Sequence, residues 1–199
     1  MGQDYNTLNW PVYKMIEFFR QFFSQQTKND YQYNDNNEYT KIFIREKNAV
    51  KLESSDDRPI VALSRGPLNA QGAFVADLWG IDATSGVETY ADLINTSITA
   101  HCISPRGLEA EEIASMVFGS IKFNRTFIMS YGFLRVTPPH VGEEQIISIT
   151  GSDHELINVP VTFNIQYAIS WTREDMNKYV LAGVEYRIRN VNDVIVAGS

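Results

Sequence analysis

The sequence predicts an α+β fold: an antiparallel or mixed β-sheet with one main helix packed on a face, plus an N-terminal helix and a C-terminal arm or hairpin. Three stretches carry this expectation. In residues 108–127, Leu108, Ile113, Met116, Val117, Ile121 and Phe127 recur near the three-and-four spacing of an amphipathic helix, between an extended run at 94–103 and a new strand opening at Phe133. In residues 156–171, Val159, Val161, Phe163, Ile165, Tyr167 and Ile169 alternate with Thr162, Asn164, Gln166 and Ser170, the pattern of a strand with one buried and one wet face. Near the start, Val12, Met15, Ile16, Phe19, Phe22 and Phe23 repeat at helical spacing.

In chain order, Trp10-Pro11 opens the first helix, since proline suits a first helical position, and the helix runs to about Gln25. Phe18 broadens its aromatic stripe. Such a face serves either the subunit's own core or a docking neighbour; as an interface it comprises Phe18, Phe19, Phe22 and Phe23. Residues 27–38 are polar without a period and predict a loop. Residues 39–44 read as a strand with Ile42 and Ile44 on one side, residues 60–63 as a second, and the polar turn between them predicts a hairpin. From 66 to 86, glycines and Pro67 interrupt regular structure around a short apolar segment of Phe74, Val75, Leu78 and Trp79.

The main helix is signposted at both ends. Ser104-Pro105 supplies a cap followed by a first-turn proline, Glu109, Glu111 and Glu112 meet the positive end of the dipole, and Tyr131-Gly132-Phe133 supplies a left-handed exit. The strand from Phe133 stops at Pro138-Pro139, residues 140–144 form a turn, and strands at 145–150 and 156–171 follow, joined by Gly151-Ser152-Asp153-His154. Pro160 marks an edge or a bulge, because it cannot donate to a ladder. Residues 179–196 alternate again as a last hairpin or an arm. The whole chain, 1–199, reads as a single α+β domain: a helix and loop over 1–30, a core over 93–172 and an extension over 173–199.

Bulk properties narrow the function. A hydrophobic fraction of 44% belongs to a folded chain. The net charge of −7 argues against a dedicated nucleic-acid binder, which would have to neutralise many phosphates. One cysteine, Cys102, excludes an internal disulfide framework and reads as a small buried apolar residue. No apolar run approaches the roughly 20 residues of a membrane span, and Met1-Gly2-Gln3-Asp4 lacks the blocks of a secretion signal, so cytoplasmic synthesis and no membrane partner are expected.

Catalytic motifs are missing. There is no phosphate-cradling glycine loop and no nucleophile elbow, and the three histidines, His101, His140 and His154, are scattered. Asp153-His154-Glu155 is the one local group of possible metal ligands, and it falls in a turn where polar residues are expected anyway. The three glutamates of the helix fit dipole compensation better than paired acid–base work. The expectation is a non-enzyme with no catalytic residues, no cofactor and no metal.

Four pieces in order carry a resemblance: Ser97-Ile98-Thr99-Ala100-His101-Cys102-Ile103-Ser104, Leu108-Glu109-Ala110-Glu111-Glu112-Ile113-Ala114, Tyr131-Gly132-Phe133-Leu134-Arg135-Val136, and Asn158-Val159-Pro160-Val161-Thr162-Phe163 with Trp171. Together they resemble the tail terminator, or tail completion, family of tailed-bacteriophage neck proteins over about residues 93–172. The resemblance implies a structural virion protein assembled in the host cytoplasm. Its copies would form a ring, commonly a homohexamer, that caps the tail tube, stops its polymerisation and joins it to the head connector. Implied partners are the chain itself, the tail tube protein and a head-side connector or stopper, with genome DNA passing through the lumen without specific binding. The interface candidates are the aromatic helix face and the Pro160 edge. Residues 41–86 depart from compact versions of the family and look like an insertion or decoration. A head-completion, stopper or other neck component is the alternative within that class, and a small-molecule-binding enzyme using Asp153, His154 and Glu155 the alternative outside it.

Overall fold

A computed structural model of the chain describes residues 8–26, 30–49, 58–72, 78–81, 88–148, 155–173 and 186–187. Two long strands, β5 (Glu88–Ser104) and β9 (Glu155–Arg173), pair antiparallel along the whole of β5, from Glu88↔Arg173 to Ser104↔Ile157. At about 3.4 Å per residue this ribbon is about 55 Å long. Short strands tile both its edges. β2 (Ile60–Arg65), β3 (Asn69–Gly72) and β4 (Leu78–Ile81) follow one another along β5. Along β9 lie β8 (Gln145–Ser148), β7 (His140–Val141), β6 (Arg135–Val136) and β10 (Tyr186–Arg187). β1 (Phe43–Glu46) borders β2, so the expected mixed sheet with helices is what forms.

One side of the ribbon makes the core. Ile94, Thr96, Ile98, Ala100 and Cys102 of β5 stand opposite Tyr167, Ile165, Phe163, Val161 and Val159 of β9, and all are buried. The reverse side pairs Asn95, Ser97 and Thr99 with Gln166, Asn164 and Thr162. α2 (Gly107–Phe123) covers the apolar side of β5 and β9, while α1 (Trp10–Ser24) lies over β1 and β2. The buried stripe of α2 is Ala110, Ile113, Ala114, Val117 and Ile121, where the two alanines let the helix approach the sheet closely.

α1 starts at Trp10 with Pro11 in its first turn, as the sequence predicts. Its N-cap, Asn9, makes no capping bond, because its side chain donates to Glu46 Oε1 at 2.9 Å and accepts from Arg65 Nε at 3.0 Å, tying the helix entry to β1 and β2. Trp10 packs against Phe133 and Tyr167 with ring centroids 5.2 and 5.4 Å apart.

Several expectations are corrected. β1 and β2 are parallel and so are not a hairpin, and β1 is followed by the 3₁₀ turn Lys47–Ala49. Within residues 41–86, β1, β2, β3 and β4 flank the sheet on the β5 side. Residues 39–42 are not strand, although Ile42 and Ile44 are both buried as expected; Phe74 and Val75 lie outside the described residues. The main helix ends at Phe123, and after Asn124 a short α3 (Arg125–Met129) carries Phe127 separately, with Gly132 making the left-handed exit at φ 105°. Its cap is also different: Arg106 is the N-cap, and Ser104 Oγ accepts from the Arg106 backbone N–H while donating to the Glu109 carboxylate. Residues 140–141 pair with β9 as β7, and β6 is confined to Arg135–Val136. At the C-terminus Tyr186–Arg187 pairs antiparallel with the end of β9, and residues 174–185 and 188–199 lie outside the described residues.

Phe19 is completely buried, so Phe19→Ala is expected to lower unfolding stability by about 3–5 kcal/mol in chemical denaturation. Gly132→Ala should cost about 1–2 kcal/mol by the same measurement, because its φ is positive and the new Cβ would sit 3.2 Å from the Trp10 ring.

Candidate functional site

The aromatic stripe of α1 faces inward. Phe18, Phe19 and Phe23 are at most 2% exposed, and Phe22 is partly buried against Phe18 and Phe23. As an interface this stripe is corrected: its rings are already covered by the subunit's own core. Pro160 is not at an edge either, since β9 has β5 on one side and β7 on the other. Gly142 donates its N–H to the Pro160 carbonyl at 2.8 Å, and the reciprocal bond of such a pair is the one that proline removes. The break falls in the outer lane between β7 and β8, and a Cβ on Gly142 would meet Pro160 Cγ at 2.9 Å.

Of the possible catalytic groups, Asp153 and His154 lie outside the described residues, Glu155 opens β9 in an exposed position and His140 is exposed. Among the described residues, no three His, Cys, Asp or Glu side chains come together to hold a metal ion. Glu109 receives the Ser104 hydroxyl and Glu112 the Tyr31 hydroxyl at 2.8 Å, so neither stands as one of a carboxylate pair. Burial raises the Tyr31 hydroxyl well above its ordinary range, and the Glu112 carboxylate adds to the shift. The Cys102 thiol is likewise raised by burial, as the sequence reading of an inert strand residue expects. An open cleft of about 830 Å³ is lined by Asp30, Glu38, Lys41, Arg58 and Glu109 among others. Arg58 is engaged there with the Asn37 and Thr40 carbonyls, and Lys41 lies 3.9 Å from Asp30.

His101 holds the one polar cluster on the sheet's reverse side. Its Nε2 is 3.2 Å from Ser64 Oγ and 3.4 Å from Lys47 Nζ, and its Nδ1 is 3.4 Å from the Asn158 carboxamide, which in turn bonds Gln145 at 3.1 Å. An ammonium has no lone pair, so in the contact with Lys47 it is the ring Nε2 that accepts. Burial, and then the Lys47 charge, lower the His101 pKa against a smaller opposing effect of Asn158. Asn158 is buried and its Oδ1 has no partner among the described residues.

The surface features that sequence reasoning missed are apolar. Leu108 is 84% and Phe123 81% exposed, Ile146 is 64% exposed, and Phe127 and Met129 are exposed beside Phe123. Leu108 and Phe127 had been placed on the buried face. Phase alone could have found them: at 100° per residue, Leu108 and Phe123 fall far off the line through Ile113, Val117 and Ile121. Among the described residues no helix is long and apolar enough to cross a membrane. Comparison with family models finds no match, and no curated protein matches the chain significantly.

Because the native His101 binds a proton less readily than in the unfolded chain, native stability should be unaffected above about pH 6.5 and should fall as the pH drops below that value. The difference in denaturation midpoint between wild type and His101→Gln should be constant above that value and shift below it, with the wild type losing more as the pH falls. An NMR titration should place the ring's pKa below its ordinary value.

Proposed function

We propose that this chain is a structural subunit of a tailed-phage neck, of the tail terminator type. Copies close into a ring on the end of the tail tube, stop its growth and offer a surface to the head-side connector. One observation supports the reading most. The four sequence pieces that carry the resemblance fold into one physical unit: β5, α2 on its apolar face, the Tyr131–Val136 turn and strand, and β9 paired to β5 throughout. A ring subunit needs such a rigid block to hold its contacts at fixed angles. The net charge of −7 suits a conduit through which DNA must pass without being gripped.

The reading is tested by electron microscopy of a lysate from phage lacking this gene. Unattached tails of abnormal, variable length beside filled heads are expected. Tails of normal length with unattached or leaking heads would move the protein to a head-completion or stopper role, and intact infectious particles would remove it from the neck.

A further inference from the structure

The strands divide their charges between the two sides of the sheet. Every Asp or Glu on the described strands, Glu46, Glu88, Asp92 and Glu155, falls in the core-side register shared by Ile44, Ile94 and Val159. The reverse register holds Arg45 on β1, opposite Ala62, and Arg135 on β6, opposite Gln166. Lys47, just beyond β1, reaches the same side, where its ammonium meets His101. Lys47 and Arg135 are exposed, and among the described residues none of these three cations has a carboxylate within salt-bridge distance; Lys14 and Lys41, by contrast, are paired with Glu17 and Asp30. Between the cations run the Asn95, Ser97, Thr99 row and the Thr162, Asn164, Gln166 row, with both long helices on the other side of the sheet.

The chemistry of this face selects its partner. A protein interface needs exposed apolar groups at its centre, and the only two large ones on described strands, Val141 and Ile146, are in the core-side register. Unpaired bases need an open ring to stack on, whereas Phe43, the ring beside these cations, already carries the Arg45 and Arg58 guanidiniums at 4.4 and 4.2 Å from its centroid. A phosphodiester backbone fits: arginine and lysine meet its charge, while hydroxyl and carboxamide groups hydrogen-bond its oxygens without reading sequence.

We propose that the reverse face of the sheet is a contact surface for the phosphate backbone of duplex DNA. Arg45 and Arg135 stand about 19 Å apart across the strands and about 20 Å apart along β9, so one duplex can meet both. Three cations make the contact weak and salt-labile, in keeping with a chain of net charge −7. The surface stands on the subunit alone, whereas the identity of the duplex as packaged genome rests on the neck reading.

Fluorescence anisotropy of a labelled random-sequence duplex, titrated with the full chain from low salt upward, tests it. Wild type should bind weakly, with a slope of log affinity against log salt of about −2.7, that is about −0.9 for each of three phosphates neutralised. Arg135→Glu and Lys47→Glu should each weaken binding at least about fivefold at the lowest salt and flatten the slope. Lys122→Glu, which changes the net charge equally on the helix side, should leave both unchanged. Should the first two fold poorly, Asn164→Lys, at an exposed position between the cations, should strengthen binding. No binding at the lowest salt, or a loss in Lys122→Glu as large as in Arg135→Glu, would overturn the assigned face. Tighter binding of a single strand would overturn the choice of duplex, and equal binding of polyglutamate would overturn DNA in favour of an acidic protein. None of these outcomes decides the neck role, which is judged by tail length.

Discussion

The β5–β9 ladder is the constraint on which the rest of the molecule depends. Every other strand among the described residues attaches to one of its two edges, except β1, which attaches through β2. A one-residue slip of β9 against β5 would turn Phe163 to the polar side and bring Thr162 under α2. The burial of four apolar positions on β5 and five on β9 opposes that slip. Both helices find their places only because the ladder offers an apolar surface, with α2 over its middle and α1 over the flank that β2 and β1 add. The tilted contacts of Trp10 with Phe133 and Tyr167 then lock α1 back onto β9.

The molecule is consequently asymmetric in two directions. Across the sheet, one side is the core and the other a lattice of threonine, asparagine and glutamine in which His101 is the titratable centre. Along the ribbon, the helix layer ends in apolar groups at both extremities.

Periodicity made the two long strands and both main helices legible, because each repeats its signal over many residues. Alternation from Val159 to Ile169 can be satisfied by only one local geometry. The partner of a strand is another matter. Residues 43–46 and 60–65 carry the same alternating pattern whether they pair parallel or antiparallel, and the polar stretch between them looks like a turn in either case. The aromatic run of α1 showed that its face must be covered but not by what, and the answer came from tertiary packing. Leu108 and Phe127 differ from expectation for a related reason: an apolar residue is read as buried until its phase is compared with the stripe around it. Asn9 was silent because its side chain, a natural cap, is drawn instead to Glu46 and Arg65 from strands more than thirty residues away.

Pro160 has a consequence for the outer lane of the sheet. A strand edge made only of ordinary residues offers equivalent docking positions every two residues, so short partners such as β7 and β8 could settle in shifted frames without changing faces. The proline abolishes that equivalence. Its position lacks a donor and presents a ring, and the residue that meets it in this lane, Gly142, has no side chain to collide. Moving the lane by two residues in either direction would set a side chain where the ring already is. Pro160 and Gly142 thus act as a key and its slot, indexing residues 140–148 along β9 and, with them, the pairing of Ile146 with Ile157.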